Sequence, residues 1–287
     1  RYHLLDRENK RHSLLGESRP AQFGKALVEP QAVEIEARDG LKLPGYLLRP
    51  PGAGAKPLPL VLLVHGGPWA RVAWSDLDDS EDLLRAQFLA NRGYAVLIVN
   101  YRGSTRYGQT FELAAVDEFG AKMQDDLVDG MRWAIDRGIA DPDRIAVMGH
   151  SYGGYATLMA LAQHPRQFAC GIDIAGPSDL VTLIESFPPY WELQLDHWYS
   201  FVGDPAGAAG RERMGKISPL NLVDRFERPL PIIQGEKDVR VPPQQSAAMV
   251  QALRKAGKSV EYVTFADLGH SLSYWAHHLG VLRKSEQ

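Results

Sequence analysis

Short, continuous apolar runs recur along most of the chain, with segments of helical periodicity between them. The runs predict strands that are buried on both faces of a sheet, at 60–64, 94–99, 144–148, 169–174, 230–234 and 259–265. The intervening segments predict helices, around 80–91, 121–138, 154–162, 243–257 and after residue 271. Regular alternation of strand and helix requires an α/β fold with a mostly parallel, doubly wound sheet and helices on both faces.

The N-terminal part of the chain has a different pattern. Within residues 1–29, two short apolar runs flank a polar turn, which predicts a small hairpin or an extended arm. Residues 33–37 and 41–48 bracket a turn at 38–40 and predict a second β-hairpin. We therefore expect an N-terminal arm over residues 1–29 and one α/β domain over residues 30–287.

Composition narrows the classes of function. The chain has 287 residues, of which 45% are hydrophobic and 23% are charged, and a net charge of −3 argues against a nucleic-acid partner. Its apolar runs are all much shorter than the roughly 18 residues that a membrane helix needs, so we expect no membrane partner. The first residue is Arg1 and no signal peptide follows it, which leaves localisation open, with the cytoplasm as the default. The sequence does not indicate an oligomeric state.

The motif at 149–153, Gly-His-Ser-Tyr-Gly, lies between a predicted strand and a predicted helix. A serine on such a turn is strained and needs small residues two positions away on either side. The turn lifts the hydroxyl clear of the sheet edge and points the first amides of the helix at the same place. Ser151 is therefore the candidate nucleophile, and the alternative is a glycine-rich turn that buries a serine.

A serine hydroxyl needs a base, and the base needs a carboxylate to orient it. In a doubly wound sheet these groups arrive on loops at the carboxyl ends of the strands. Asp238 follows the strand predicted at 230–234, and His270 follows the strand predicted at 259–265. The sequence therefore supplies a nucleophile, an acid and a base in the order Ser151, Asp238, His270.

Other residues compete for these two roles. Asp238 could be a solvated loop carboxylate, as could Glu236 or Asp267, and His270 could be an ordinary histidine at a helix N-terminus. His150 is held inside the turn itself, where it cannot swing round to serve the adjacent serine. The remaining histidines that we considered lie in the last helix or lack a strand-end setting: His3, His12, His164, His197, His277 and His278.

Acyl transfer also needs hydrogen-bond donors for an oxyanion. The His-Gly-Gly-Pro sequence at 65–68 follows the first buried strand, and its glycine pair lets the backbone approach a substrate. We expect the amides of Gly67 and Tyr152 to be the two donors. The alternative for residues 65–68 is an ordinary tight turn.

Five further residues are candidates for substrate binding: Trp69, Arg102, Tyr190, Trp191 and Val241. Arg102 could contact a substrate carboxylate, or it could form a structural ion pair with Asp125 or Asp126. Tyr190 and Trp191 belong to a dense aromatic segment that either joins the core or forms a cap or acyl-side pocket.

The sequence contains neither His-Glu-x-x-His nor paired Cys-x-x-Cys, so it indicates no metal site. The glycine-rich nucleotide loop Gly-x-Gly-x-x-Gly does not follow the first buried strand, which argues against dinucleotide binding. We therefore expect no cofactor.

Four motifs resemble the catalytic domain of the prolyl oligopeptidase family, in the branch of acylaminoacyl peptidases and related bacterial dipeptidyl peptidases. They lie at 149–155, 100–104, 188–191 and 238–242, within a resemblance that covers roughly residues 30–275. The resemblance implies an α/β-hydrolase fold, with Ser151, Asp238 and His270 as a catalytic triad. It also implies an oxyanion hole formed by the amides of Gly67 and Tyr152.

Members of that family usually carry a β-propeller ahead of the hydrolase domain, which restricts entry to short peptides. Here only an arm over about residues 1–15 resembles a last propeller strand, so the arm is a propeller remnant or a linker. We expect an excised or naturally shortened catalytic domain, and such a domain makes simple ester hydrolysis more plausible.

The resulting hypothesis is a serine hydrolase that cleaves acylaminoacyl or short oligopeptide bonds through an acyl-enzyme on Ser151. The alternative is a carboxylesterase that acts on small acyl esters with the same triad. A more remote alternative is a non-catalytic binding module that retains the fold. The expected partner is a peptide or small ester substrate.

Overall fold

The computed structural model describes residues 2–16, 27–73, 81–271 and 275–286. The strands are β1 Tyr2–Asp6, β2 Arg11–Gly16, β3 Gln31–Glu36, β4 Lys42–Leu48, β5 Leu58–Val64, β6 Ala95–Val99, β7 Ala140–His150, β8 Cys170–Ile174, β9 Leu230–Gly235 and β10 Val260–Phe265. The helices are α1 Glu81–Ala90, α2 Gln109–Leu113, α3 Lys122–Asp136, α4 Tyr152–Gln163, α5 Leu180–Glu185, α6 Leu195–Phe201, α7 Ala208–Lys216, α8 Pro243–Lys255 and α9 Trp275–Glu286. Two 3₁₀ helices cover Pro189–Gln194 and Pro219–Arg225.

The central feature is an eight-stranded sheet with the order β10-β9-β8-β7-β5-β6-β4-β3. The six strands from β10 to β6 are parallel, and β4 and β3 add an antiparallel edge. Helices pack on both faces, so the predicted α/β-hydrolase type of fold is confirmed. The carboxyl ends of the parallel strands meet at one edge of this sheet.

Strand β5 shows how the core is divided. Leu62 faces a cluster that contains Leu127 of α3, whereas Leu63 faces a second cluster that contains Leu83 of α1. Because successive side chains of a strand point to opposite faces, a continuous apolar run is what a strand covered on both sides requires. The sheet is therefore held between two hydrophobic layers.

The arm at the N-terminus is a hairpin in which β1 and β2 pair as a separate two-stranded antiparallel sheet. Leu4, Leu5, Leu14 and Leu15 on these strands are all exposed. Within the rest of the predicted arm, residue 1 and residues 17–26 lie outside the described residues.

Three local predictions differ from the structure. Strand β7 begins at Ala140, because its first residues continue the pairing with β5. Helix α2 was not predicted, since it is only five residues long. No helix was predicted between β8 and β9, where the structure has three short helices, α5 to α7, and two 3₁₀ helices. In the described part of the chain, no helix is long and apolar enough to span a membrane.

Candidate active site

Ser151 lies on the sharp turn that joins β7 to α4. Its φ is 60° and its ψ is −120°, a conformation that costs a residue other than glycine about 1–3 kcal/mol. Its amide donates a hydrogen bond of 2.8 Å to the carbonyl oxygen of Ile174 at the end of β8. The backbone around the turn therefore holds a strained serine at the carboxyl edge of the sheet.

The glycines on either side of Ser151 are required by close backbone packing. A Cβ atom at Gly149 would lie 2.3 Å from the carbonyl carbon of Gly153. A Cβ atom at Gly153 would lie 2.1 Å from the carbonyl oxygen of Val64, the last residue of β5. Both approaches are closer than real Cβ contacts, so only glycine fits at these two positions without a backbone shift.

Ser151, His270 and Asp238 form a continuous hydrogen-bonded chain. The Oγ of Ser151 lies 3.0 Å from Nε2 of His270, and Nδ1 of His270 donates to Oδ2 of Asp238 at 2.7 Å. The carboxylate is fully buried and the imidazole is only 10% exposed. This is the arrangement in which an imidazole can take a proton from a serine hydroxyl while a carboxylate fixes its tautomer.

The loop after β9 holds the carboxylate in place. Oδ1 of Asp238 accepts hydrogen bonds from the amides of Arg240 and Val241, each at 2.9 Å. The amide of Lys237 donates to the carbonyl of Leu268 at 2.9 Å, which ties this loop to the loop that carries His270. The acid and the base are thus positioned by two loops that contact each other directly.

The glycine turn after β5 packs against the nucleophile. A Cβ atom at Gly66 would lie 3.0 Å from the carbonyl oxygen of His150 and 3.4 Å from Cβ of Ser151. Gly67 has a φ of +127°, which favours glycine, and both Gly67 and Tyr152 line the cavity in front of Ser151. The turn is therefore close enough for its amides to face a substrate bound at the serine.

His65 anchors this turn through contacts with residues that follow β6. Its ring stacks on Tyr101 with the centroids 4.3 Å apart, and its Nε2 lies 3.1 Å from the hydroxyl of Ser104. The hydroxyl of Tyr101 donates to the carbonyl of His65 at 2.9 Å. Burial lowers the pKa of His65 to about 4, so the ring is neutral near pH 7. Sequence reasoning did not identify this support.

The cavity in front of Ser151 has a volume of about 580 Å³ and two chemically different sides. The apolar side is lined by Phe119, Pro177, Leu183, Phe187, Trp191, Trp198 and Val241. Of the residues expected to bind substrate, Trp191 and Val241 line this cavity, whereas Phe119 and Leu183 carried no recognisable signal in the sequence. The aromatic segment accordingly contributes to the cavity wall.

The second group of lining residues is charged. Arg85 is buried and donates to Glu81 at 2.7 Å and to Asp82 at 2.8 Å. Burial raises the pKa of Asp82, and Arg85 partly offsets that shift. Arg71 and Arg240 also line the cavity. The spacing of Glu81 and Arg85 by four residues on α1 was the one available signal for this cluster.

Two of the predicted substrate contacts do not line the cavity. Tyr190 is 70% exposed on its 3₁₀ helix and does not line the cavity, unlike its neighbour Trp191. Trp69 lies behind the wall, with its ring edge-on to Trp198 at 4.9 Å and to Phe201 at 5.3 Å. Trp69 therefore supports the apolar side without lining it.

The predicted substrate contact of Arg102 is wrong, because its guanidinium is already engaged. Arg102 is buried and donates to Oδ1 of Asp126 at 2.6 Å and to Oδ2 of Asp39 at 2.9 Å. Burial alone would lower the pKa of Arg102. The hydrogen bonds to Asp126 and Asp39 outweigh that effect and raise the pKa above its ordinary value. The structural ion pair with Asp126 is the alternative that the structure supports, and Asp125 instead pairs with Arg38.

No three His, Cys, Asp or Glu side chains come together as metal ligands within the ranges that the structure describes. The hydrogen-bonded chain at Ser151 needs no ion for proton transfer, since its charges are carried by the imidazole and the carboxylate.

Residues 80–285 match the profile of the prolyl oligopeptidase family. Dipeptidyl aminopeptidase BIII of Pseudoxanthomonas mexicana is 43% identical over 279 residues, which cover 95% of this chain and 40% of that protein. Dipeptidyl peptidase family member 6 of Caenorhabditis elegans is 37% identical over 294 residues, covering 94% of this chain and 39% of that protein. The chain thus spans about 40% of the length of these relatives.

Solved structures share the fold. A puromycin-hydrolyzing peptidase of Mycobacterium tuberculosis aligns with a TM-score of 0.79 and 28% identity, over 91% of this chain and 38% of that chain. The acylaminoacyl peptidase of Pyrococcus horikoshii aligns with a TM-score of 0.80 and 26% identity, over 96% of this chain and 43% of that chain. In both cases the match leaves more than half of the longer protein unaligned.

Proposed function

The chain belongs to the prolyl oligopeptidase family, and from that premise we propose that it is a serine peptidase which cleaves short or N-acylated peptides through an acyl-enzyme on Ser151. The observation that carries this proposal is the hydrogen-bonded chain from Ser151 through His270 to Asp238. It lies in a cavity large enough for a few residues of a peptide.

In the proposed acylation step, Nε2 of His270 takes the hydroxyl proton as Ser151 attacks the scissile carbonyl. Asp238 fixes the tautomer of the imidazole and stabilises the cation that forms. The amides of Gly67 and Tyr152 donate hydrogen bonds to the developing oxyanion. His270 then returns the proton to the leaving amine as the carbon–nitrogen bond breaks.

In deacylation, water takes the place of the departed amine. His270 removes a proton from the water as its oxygen attacks the ester carbonyl, and then returns that proton to Oγ of Ser151. The products are a free amine, a carboxylic acid and the regenerated serine. Because every proton passes through the imidazole of His270, both steps depend on its distances to Oγ of Ser151 and to the carboxylate of Asp238.

The apolar side of the cavity supports a preference on the acyl side of the cut bond. Phe187, Trp191 and Trp198 offer a surface that an apolar side chain next to the scissile carbonyl can cover. The same surface would take the acyl chain of a small ester, so a carboxylesterase is the second candidate. The triad serves either reaction and cannot distinguish them.

Replacing the nucleophile tests the proposal directly. Ser151→Ala should lower kcat by roughly four to six orders of magnitude, because the acyl-enzyme cannot form. Ser200→Ala, at an exposed serine on α6, is the matched control and should keep full activity. Near-normal turnover by Ser151→Ala would refute the assignment.

A substrate panel separates the two candidates. We expect kcat/KM to be higher on acyl-peptides or aminoacyl anilides with an apolar acyl-side residue than on short-chain esters of matched leaving-group reactivity. The opposite ranking would favour the carboxylesterase. Failure of the unmodified protein to react with a fluorophosphonate would favour the non-catalytic binding module.

A further inference from the structure

His150 lies directly before the nucleophile, and its ring contacts the ring of the candidate base. The centroids of His150 and His270 are 4.7 Å apart, with an angle of 35° between the ring planes. Both side chains line the cavity in front of Ser151. The turn that carries the serine is thus in direct contact with the side chain of the base.

The surroundings of His150 keep its ring uncharged. Burial is the largest cause that holds its pKa well below the ordinary value, and Arg85, His270 and Arg240 lower it further. An oxygen of Glu81 lies 3.9 Å from Nδ1, beyond hydrogen-bond distance, and is itself bonded to Arg85. A neutral ring beside His270 adds no positive charge to oppose the imidazolium that forms during proton transfer.

Two hydrogen bonds hold the imidazole of His270 at Nδ1 and Nε2, and its Cβ–Cγ bond ties the ring to the backbone. A movement of the ring perpendicular to its own plane would still take the Nε2 lone pair out of line with the hydroxyl of Ser151. The ring of His150, with its centroid 4.7 Å away, limits that movement on one side.

We propose that His150 is a positioning residue, whose ring contact holds the imidazole of His270 in line between Ser151 and Asp238. The inference rests on the proposed serine hydrolase function, because positioning matters only if His270 transfers protons. His150 itself touches neither the reacting proton nor the carboxylate in this arrangement.

Two variants test the ring contact. His150→Phe keeps a flat ring, whereas His150→Asn keeps a polar group and removes the ring. His150→Asn should lower kcat by about 10- to 100-fold with KM changed less than about twofold, since misplacing a catalytic group by about 1 Å has an effect of this size, and His150→Phe should recover most of this loss. The rate of labelling by a fluorophosphonate should fall by the same factor, because labelling needs the same proton transfer.

His164→Phe is the matched control, since His164 lies at the other end of α4, outside the cavity. Its kcat and labelling rate should equal those of the unmodified protein. If His150→Asn kept kcat and labelling rates within twofold, or if His150→Phe lost as much activity as His150→Asn, positioning by the ring contact would be refuted. A raised KM with unchanged kcat would refute it as well, because that result indicates a substrate contact.

A measurement on the unmodified protein covers the case in which a variant fails to fold. Nitrogen-15 NMR of the imidazoles should show a neutral His150 throughout the pH range in which His270 gains its proton. A cationic His150 in that range would overturn the proposal. If instead the unmodified protein neither turned over substrate nor reacted with the fluorophosphonate, the proposed function itself would fall.

Discussion

The sheet edge that carries Ser151 and the aromatic segment both line one cavity, but they are built differently. Ser151, Asp238 and His270 each follow a strand of the parallel sheet, β7, β9 and β10. Residues 187–201, the aromatic segment, form a 3₁₀ helix and the short helix α6, with no strand among them. The first region is fixed by the sheet and by buried hydrogen bonds, whereas the second is held by ring contacts between partly exposed side chains.

This difference in construction matches the two tasks that we propose for the site, proton transfer and substrate recognition. Proton transfer needs atoms held to within a fraction of an ångström, and strand ends with buried backbone packing supply that. Recognition of an apolar group depends on area and tolerates small movements, so short helices suffice. We therefore expect substitutions at the edge to lower kcat and substitutions in the segment to change substrate preference.

After loss of the nucleophile itself, the largest expected effect is at the buried carboxylate. Asp238→Asn should lower kcat by about 10⁴-fold with little change in KM, because the amide favours the wrong tautomer of His270. The measurement is steady-state kinetics on an activated substrate. Asp267→Asn, at an exposed carboxylate in the same loop as His270, is the control and should stay near full activity. A small effect of Asp238→Asn would mean that the edge does not act as a triad.

The next effect is a pH dependence of the free energy of unfolding. Burial raises the pKa of Asp173 on β8 to about 8, and the carboxylate accepts one hydrogen bond, from the amide of Gly176. Between about pH 4 and pH 8 the folded protein keeps a proton that the unfolded chain releases, so the free energy of unfolding should fall as the pH rises. The slope is up to about 1.4 kcal/mol per pH unit.

Asp173→Asn should remove this slope, because an amide does not titrate. Urea unfolding at pH 5 and pH 8 measures the free energy of unfolding of both proteins. Equal slopes in the two proteins would contradict the expectation.

A smaller effect is expected in the aromatic segment. Trp198→Ala should lower kcat/KM about tenfold for substrates with a large apolar acyl-side residue and leave an acetyl ester unaffected, since only the former loses buried area. Trp133→Ala, far from the cavity beside Arg137, is the control. An equal loss on both substrates would mean that the segment positions the catalytic groups too.

The smallest effect is expected at Tyr190. Because its side chain is 70% exposed and lies outside the cavity lining, Tyr190→Ala should change kcat/KM less than about twofold on every substrate. The same substrate panel measures it. A tenfold loss would show that the segment rearranges when substrate binds.

The same contrast explains what could be predicted from the sequence. The apolar runs indicated the sheet, and the edge of a parallel sheet indicated where Ser151, Asp238 and His270 would meet. Their order along the chain was enough, because topology alone brings strand ends together. The fold prediction is confirmed, and the structure places the three side chains in one hydrogen-bonded chain.

The aromatic segment could not be predicted in this way. Whether Tyr190 or Trp191 faces the cavity depends on the rotation of one 3₁₀ helix, which no periodicity in six residues determines. Arg102 shows a second limit, since its position after a strand suited a substrate contact and an ion pair equally well. Only the folded positions of Asp126 and Asp39 decided between them.

The close packing of Gly153 on the carbonyl oxygen of Val64 has one more consequence. Val64 ends the strand from which the turn with Gly66 and Gly67 departs. The hydroxyl of Ser151 and the amide of Gly67, which we propose as an oxyanion donor, are therefore anchored at the same residue. Thermal fluctuations should displace them together and preserve their separation. On gradual heating, activity should therefore persist until the whole domain melts, with no earlier inactivation step.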